Sequence, residues 1–298
     1  MLLWVLFNLV VALLLIIDLR VLHREARKIC LREAVCQSIY WIAIALLFNL
    51  FIFYWFGKEA GLNFLAGYLI EKSLSVDNLF IFALLFSYFK VPDFLLHRVL
   101  FWGIFGAVAM RAIFIFFGLV LIQKFHWILY IFAIFLIISG IRLGLEKEKE
   151  YNPEHNFILR LLRRFLPTTS SYHGKRFFIK EHGKYLATPL FVALCAIEMA
   201  DILFALDSIP AVMGITTDPF IVYTSNILAV LGLRALYFAL AHALEAFVYL
   251  HYALAFILVF IGVKMLLDSY LIIPIALSLG VIFLTLFTAM VFSLWRRI

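Results

Sequence analysis

The chain has 298 residues, of which 66% are hydrophobic and 14% charged, with 33 Phe and a formal net charge of +7. No water-soluble domain of this length could hide so much apolar surface in its core. Apolar stretches of about 20 residues recur from end to end, each long enough to cross a roughly 30 Å hydrocarbon layer, so the composition specifies an all-α polytopic membrane protein.

In chain order, the expected spans lie near 2–19, 39–56, 62–88, 98–122, 125–143, 186–210, 219–240, 246–267 and 271–294, about nine transmembrane helices in all. The first lacks a basic n-region and a small-residue cleavage site, and reads as a retained span rather than a signal peptide. Cys30, Cys36 and Cys195 form no CxxC pair and no disulfide framework. Arg20, Arg24, Arg27, Lys28 and Arg32 follow the first span, Lys90 and Arg98 flank the loop after the third, and basic residues stud 144–185 and close the chain at Arg296 and Arg297. The alternate loops hold only Lys58, Lys124 and Lys264. The positive-inside rule then places the N-terminus outside and the C-terminus in the cytoplasm. The net charge is thus a topology signal. The basic stretch 144–185 reads as a solvated linker beside anionic lipid rather than a nucleic-acid site.

The third span contains "LIEKSLSVDNLF", which buries Glu71, Lys72, Asp77 and Asn78 in apolar surroundings. A charge at the centre of a bilayer costs roughly 2.5–3.5 kcal/mol on insertion scales, so these residues need partners or a function. The second half answers with "IEMADILFALDSIPAVM". Glu71 lies six residues before Asp77, and Asp201 lies six before Asp207. "MRAIFIF" around Arg111 echoes "LRALYFA" around Arg234, and Tyr130, Gly140, Arg142 and Glu146 match Tyr252, Gly262, Lys264 and Asp268 at one constant offset. These matches divide the chain into an N-terminal transmembrane hairpin (1–61), a first three-helix repeat (62–146), a cytoplasmic linker (147–185), a second three-helix repeat (186–268) and a C-terminal helix (269–298). An odd number of spans per repeat inserts the two upside down relative to each other, the arrangement that secondary transporters build around a midplane site.

On a continuous helix Glu71 and Asn78 share a face, as do Asp201 and Ser208, whereas Asp77 and Asp207 point about 100° away. Pro210, which frees the carbonyl of Leu206, and Ser73 with Ser75 lead to the expectation of a broken or unwound turn that lets all these oxygens converge. Glu71, Asp77, Glu198, Asp201 and Asp207 supply the negative charge of this layer, and Lys72, Arg111 and Arg234 the positive, leaving a deficit that one divalent cation would cancel. Carboxylate, amide, hydroxyl and backbone oxygens suit hard ions such as Mg²⁺, Ca²⁺ and Mn²⁺. With no His in the cluster and Cys195 the only nearby thiol, zinc and copper are disfavoured. The candidate ion ligands are therefore Asp77, Asn78, Glu198, Asp201, Asp207, Glu71 and Ser208. Arg111, Arg234 and Lys72 are the candidate counter-ions or gating residues, and Asn226 is either a ligand or a helix-packing residue. Against this stands the plainer reading that the acids merely pair with the arginines to hold helices together. His97, His126, His242 and His251 fall near span ends, and Cys195 reads as a small core residue.

The stretches "EKSLSVDNLFIFALLFSYFKVP", "HRVLFWGIFGAVAMRAIFIFFG", "ALDSIPAVMGITTDPFIVYTSNILAVLGLRALYF" and "LVFIGVKMLL" resemble the TerC family of membrane proteins, including its Alx branch, over nearly the whole chain. The resemblance implies kinship with LysE-type transporters and their inverted three-helix repeat, tellurium resistance by family name, and export of manganese with metal supply to secreted enzymes. It also implies that Asp77, Asn78, Glu198, Asp201 and Asp207 line the ion path. One departure is Ala200, where a Thr or Ser commonly precedes the acid in that pattern.

The combined expectation is a non-enzymatic exporter of manganese or a similar hard divalent cation in a bacterial inner membrane. It would work by proton antiport and hold no tightly bound cofactor. Its partners would be the bilayer, the ion, protons and membrane or secretion machinery. The alternatives are a membrane scaffold or metalation factor without transport, and an intramembrane hydrolase using Ser208, which the absence of HExxH and GxSxG motifs disfavours. The charge pattern also makes a topological prediction. Cysteines placed at Lys58 and Asp218 are expected to react with impermeant reagent from outside, and those at Lys90 and within 150–180 only from the cytoplasm. Labels at 58 and 90 reacting from one side would break the nine-span scheme.

Overall fold

The computed structural model describes residues 2–17, 31–125, 127–145, 169, 172–181, 184–240, 249–267 and 273–295. Among these residues ten helices run in order: α1 (Leu2–Ile17), α2 (Leu31–Phe56), α3 (Lys58–Tyr88), α4 (Asp93–Lys124), α5 (Ile128–Leu145), α6 (Pro189–Met213), α7 (Pro219–Leu231), α8 (Leu233–Leu240), α9 (Leu250–Leu267) and α10 (Ile275–Trp295). A short antiparallel hairpin, β1 (Phe178–Glu181) and β2 (Lys184–Ala187), precedes α6, with Phe178 opposite Ala187. The expected linker 147–185 thus ends in ordered structure; its residues 147–168 lie outside the description, as do the basic residues 20–28, His126, Glu146, His242, Asp268, Arg296 and Arg297.

Among the described residues, six helices are long and apolar enough to cross a membrane: Arg32–Phe56, Asp93–Lys124, Ile128–Leu145, Pro189–Met213, Pro219–Ala239 and Ile275–Ser293. The protein is therefore nearly all helical and polytopic. Of the expected spans, α1 and α9 are apolar but shorter. The third, α3, has 31 residues, and at 1.5 Å per residue it extends about 46 Å. Its charged residues, among them Glu71, Lys72 and Asp77, rather than its length keep it out of the six.

The core is a four-helix group. α3 packs on α6 and α7, α4 packs on the same two, and α2 and α10 cover α3 from outside. At its centre stands α7–α8, whose apolar window is 94% buried, against 17% for α2. Side chains such as Phe116 and Phe117 of α4 and Phe283 and Leu284 of α10 stay exposed on the outward faces, a surface suited to hydrocarbon. α7 starts where the sequence directs it: Asp218 accepts from the amides of Phe220 and Ile221 at 2.8 and 3.1 Å, and Pro219 occupies the first turn.

Two expectations about helix continuity are corrected. α3 runs unbroken through Glu71–Asn78, because the Ser73 hydroxyl donates to the Leu69 carbonyl at 2.6 Å and stays within the helix rather than opening it. α6 likewise continues through Pro210 to Met213, since a proline in the last turn costs one ladder bond and leaves no long segment to unwind. The interruption falls instead in the expected span 219–240, at Gly232 between α7 and α8.

α5 and α9 make the most extensive helix pairing in the molecule. A Cβ on Gly140 would lie 2.7 Å from the Ala255 carbonyl oxygen and 2.8 Å from Val259, and a Cβ on Gly262 would lie 2.7 Å from the Ala133 carbonyl oxygen and from Ile137. The two contacts are reciprocal, and advancing along one helix means retreating along the other, so the pair crosses antiparallel. Because the obstructing atoms include backbone, Gly140→Leu and Gly262→Leu are each expected to destabilise the protein by about 1–3 kcal/mol through overpacking. Gly280→Ala in α10, where nothing lies within 4 Å, is expected to be neutral or slightly stabilising. Melting in detergent measures all three.

A candidate buried charge centre

The side chain of Arg111, from the middle of α4, is fully buried and gathers four oxygens from three other helices. Its Nη1 donates to Glu71 Oε1 of α3, to Ser208 Oγ of α6 at 3.4 Å and to Asn226 Oδ1 of α7 at 3.3 Å. Its Nη2 donates to Asp201 Oδ1 of α6 at 3.0 Å. Asp201 and Ser208 reach one guanidinium because they stand seven residues apart, two turns along one helix face. The Asn226 amide is oriented by its own helix: Nδ2 donates to the Val222 carbonyl at 3.0 Å, which turns Oδ1 toward Arg111.

The centre is under-compensated. Glu71 and Asp201 set two carboxylates against one guanidinium, and both side chains are buried. Glu71 Oε2, Asp201 Oδ2, Ser75 Oγ, Asn78 Nδ2 and Arg111 Nε are buried with no hydrogen-bond partner among the described residues. Tyr68, Glu71, Ser75 and Asn78 fall along one face of α3, a polar stripe inside the four-helix group. Beside Asp201 lies a cavity of about 10 Å³, otherwise walled by Phe82, Leu100, Ile104 and neighbouring apolar groups.

The other expected site residues go elsewhere. Lys72 turns away from Glu71, and its ammonium donates to the Ala229 carbonyl at 3.2 Å, in the last turn of α7, where helix carbonyls lack intrahelical donors. Gly232 makes room for it, since a Cβ there would sit 2.7 Å from Lys72 Nζ. Asp207 is half-buried and lies on the side of α6 toward Ser139 of α5. Glu198 is half-buried and rests on α4 at Gly106, where a Cβ would collide with its carboxylate. Arg234 is buried in α8. The side chain of Asp77 lies outside the described residues, and with it the expected approach of Asp77 to Asp207. Arg111, expected as a counter-ion or gating residue, stands between Glu71 and Asp201 and pairs with both. Among the described residues no three His, Cys, Asp or Glu side chains come together to hold a metal ion.

The sequence offered no signal for the seat at Gly106 or for the buried hydroxyls of Tyr68 and Ser75. At the α3–α4 turn, Tyr172 donates to the Phe89 carbonyl at 2.7 Å, and burial raises its phenol above the ordinary value, which keeps the proton available to donate. Arg98 lies 4.9 Å over the Phe177 ring. These contacts fasten the stretch before the hairpin to the ends of α3 and α4.

Long apolar helices enclosing a buried, hydrogen-bonded polar centre define a polytopic integral membrane protein. The family described as "Integral membrane protein TerC family" matches residues 56–298. The chain is 50% identical over 280 residues to an uncharacterized membrane protein of Myxococcus xanthus, covering 94% of this chain and 88% of the relative. It is 46% identical over 304 residues to a Salmonella typhi protein named "Putative membrane-bound redox modulator Alx", covering 99% and 94%. It is 39% identical over 294 residues to a membrane protein of Rickettsia bellii, covering 99% and 97%. No solved structure matches. The chain belongs to the TerC family of integral membrane proteins.

The seat of Glu198 yields a coupling prediction. Gly106→Ala gains helix propensity but must push the end of the Glu198 side chain off α4, so it is expected to stabilise the Glu198→Ala protein more than the wild type. A double-mutant cycle should give an interaction of about 0.5–3 kcal/mol, whereas simple additivity would deny the contact.

Proposed function

We propose that this protein is a membrane transporter of a hard divalent cation, with manganese export as its physiological direction. The observation that carries this reading is the donor set around Arg111: two carboxylates, an amide and a hydroxyl from three helices, meeting at one buried point. Oxygen donors of this mixture suit Mn²⁺, Mg²⁺ and Ca²⁺ rather than softer metals. Ionisable groups buried within a membrane bundle mark ion and proton paths.

Two inverted three-helix repeats within nine spans, the LysE-type arrangement, would place that point between the repeats. The reciprocal antiparallel contact of Gly140 and Gly262 supports the inversion, because a twofold axis exchanges matching residues across its interface. Carboxylates that hold the ion in one state and protons in the other would make the transporter a proton antiporter. In this scheme the N-terminus is outside, the C-terminus cytoplasmic and the membrane a bacterial inner membrane. Asp77, Asn78, Glu198 and Asp207 would line the path to and from the Arg111 centre, and tellurium resistance would be a secondary consequence of ion handling.

A second reading is a membrane scaffold or metalation factor without flux, which uses the buried charges only to hold its helices. The observation in its favour is that Arg111 already partners both acids, and a relative's name assigns redox modulation rather than transport. Proteoliposomes containing only the purified protein separate the two. Manganese flux is expected with the wild type and absent with Asp77→Asn or Asp207→Asn, each of which keeps its volume but removes one charge. Asn78→Ala is expected to weaken flux less, since it deletes a neutral group. Flux at wild-type rate in both aspartate variants, or none in the wild type, would refute the transporter reading.

A further inference from the structure

The Arg111 centre is built like a cation site that already contains a cation. Two carboxylates present four oxygens, yet the guanidinium takes one from each and leaves Glu71 Oε2 and Asp201 Oδ2 uncommitted, on side chains 0% and 3% exposed. Ser208 and Asn226 add a hydroxyl and an amide oxygen at 3.4 and 3.3 Å, longer than well-formed hydrogen bonds to a guanidinium. The acceptors therefore exceed what Arg111 uses, in number and in charge.

Stability alone does not account for the arrangement. A buried ion pair is weak support for a fold, since well-packed apolar residues often serve as well or better. A hard divalent cation, by contrast, takes six or more oxygens and two negative charges, the capacity that Arg111 leaves over.

We infer that Arg111 is a displaceable occupant of this cage, a tethered cation that competes with the transported divalent ion for Glu71, Asp201, Ser208 and Asn226. The inference rests on the transport reading and adds to it how the site is held closed and emptied. With Arg111 in place the two acids are partly neutralised and the oxygens are drawn together. When a divalent ion enters, the guanidinium withdraws; when the guanidinium returns, it expels the ion. The affinity of the wild type is then the intrinsic affinity multiplied by the fraction of time the cage is free of Arg111.

The experiment uses the full-length purified protein, with Mn²⁺ binding measured calorimetrically and Mn²⁺ flux measured in proteoliposomes. If Arg111 holds the cage most of the time, Arg111→Ala is expected to bind Mn²⁺ about tenfold tighter than wild type. Methylguanidinium at millimolar concentration should compete with that gain, and flux should fall because nothing expels the bound ion. Unchanged or weaker binding in a folded Arg111→Ala protein would overturn the inference, while flux through the wild type would leave the transport reading intact. Should Arg111→Ala fail to accumulate, Arg111→Lys tests the same point: its shorter ammonium reaches fewer oxygens, so a smaller gain of the same sign is expected and a loss refutes it. A wild type with neither binding nor flux for Mn²⁺, Ca²⁺ or Mg²⁺ sinks the transport reading. In that case methylguanidinium stabilising Arg111→Ala with no effect of Mn²⁺ identifies Arg111 as a permanent structural group.

Discussion

A guanidinium cut off from water is the constraint around which this bundle is arranged. Arg111 cannot shed its charge at any accessible pH, and a charge in low-dielectric surroundings is tolerated only with close counter-charges and hydrogen bonds. Those partners come from α3, α6 and α7, so the three helices must meet α4 at one depth and one rotation. Removing either acid would leave a buried charge less compensated, and removing Arg111 would leave two carboxylates facing each other. The centre thus ties the acidic spans of the two halves together through an arginine supplied by the first.

Helix periodicity sorts the polar residues from there. Once α3 and α6 remain unbroken, residues seven apart share a face and adjacent ones diverge. Glu71 therefore meets Arg111 while Lys72 reaches the end of α7, and Ser208 joins the centre while Asp207, one residue earlier, falls on the side toward α5. The break at Gly232 serves the same economy. It ends α7 where the Lys72 ammonium meets a terminal carbonyl, and it spares the space that a side chain would fill.

Around this centre the bundle is held by close contact rather than by exclusion of water. Lipid tails are as apolar as leucine, so helices in a bilayer associate through van der Waals packing and small residues that bring backbones together. Gly140 and Gly262 do this for α5 and α9, and Gly67 does it for α3 and α7, where a Cβ would lie 2.9 Å from the Ser225 hydroxyl. The outer faces keep their Phe and Leu exposed, as a surface solvated by hydrocarbon requires.

Much of this was legible in the sequence. Apolar run lengths placed the helices, because crossing a hydrocarbon layer fixes a length that few other constraints fix. The paired acidic motifs marked the two helices that bring Glu71, Asp201 and Ser208 to Arg111, because charges survive in such spans only for a reason. The reciprocal offsets of Gly140 and Gly262 marked which helices would correspond. Only the tertiary structure decided which charge meets which. The proline and the serines favoured an unwound turn, yet the Ser73 hydroxyl closed back on its own helix and Pro210 fell in a last turn. The acids were therefore dealt out by rotation about intact helices, Glu71 and Asp201 to Arg111 and Glu198 to Gly106. The partners of Arg111 lie 40, 90, 97 and 115 residues away along the chain. No local pattern encodes such pairings; they follow from the rotation and depth at which the helices pack.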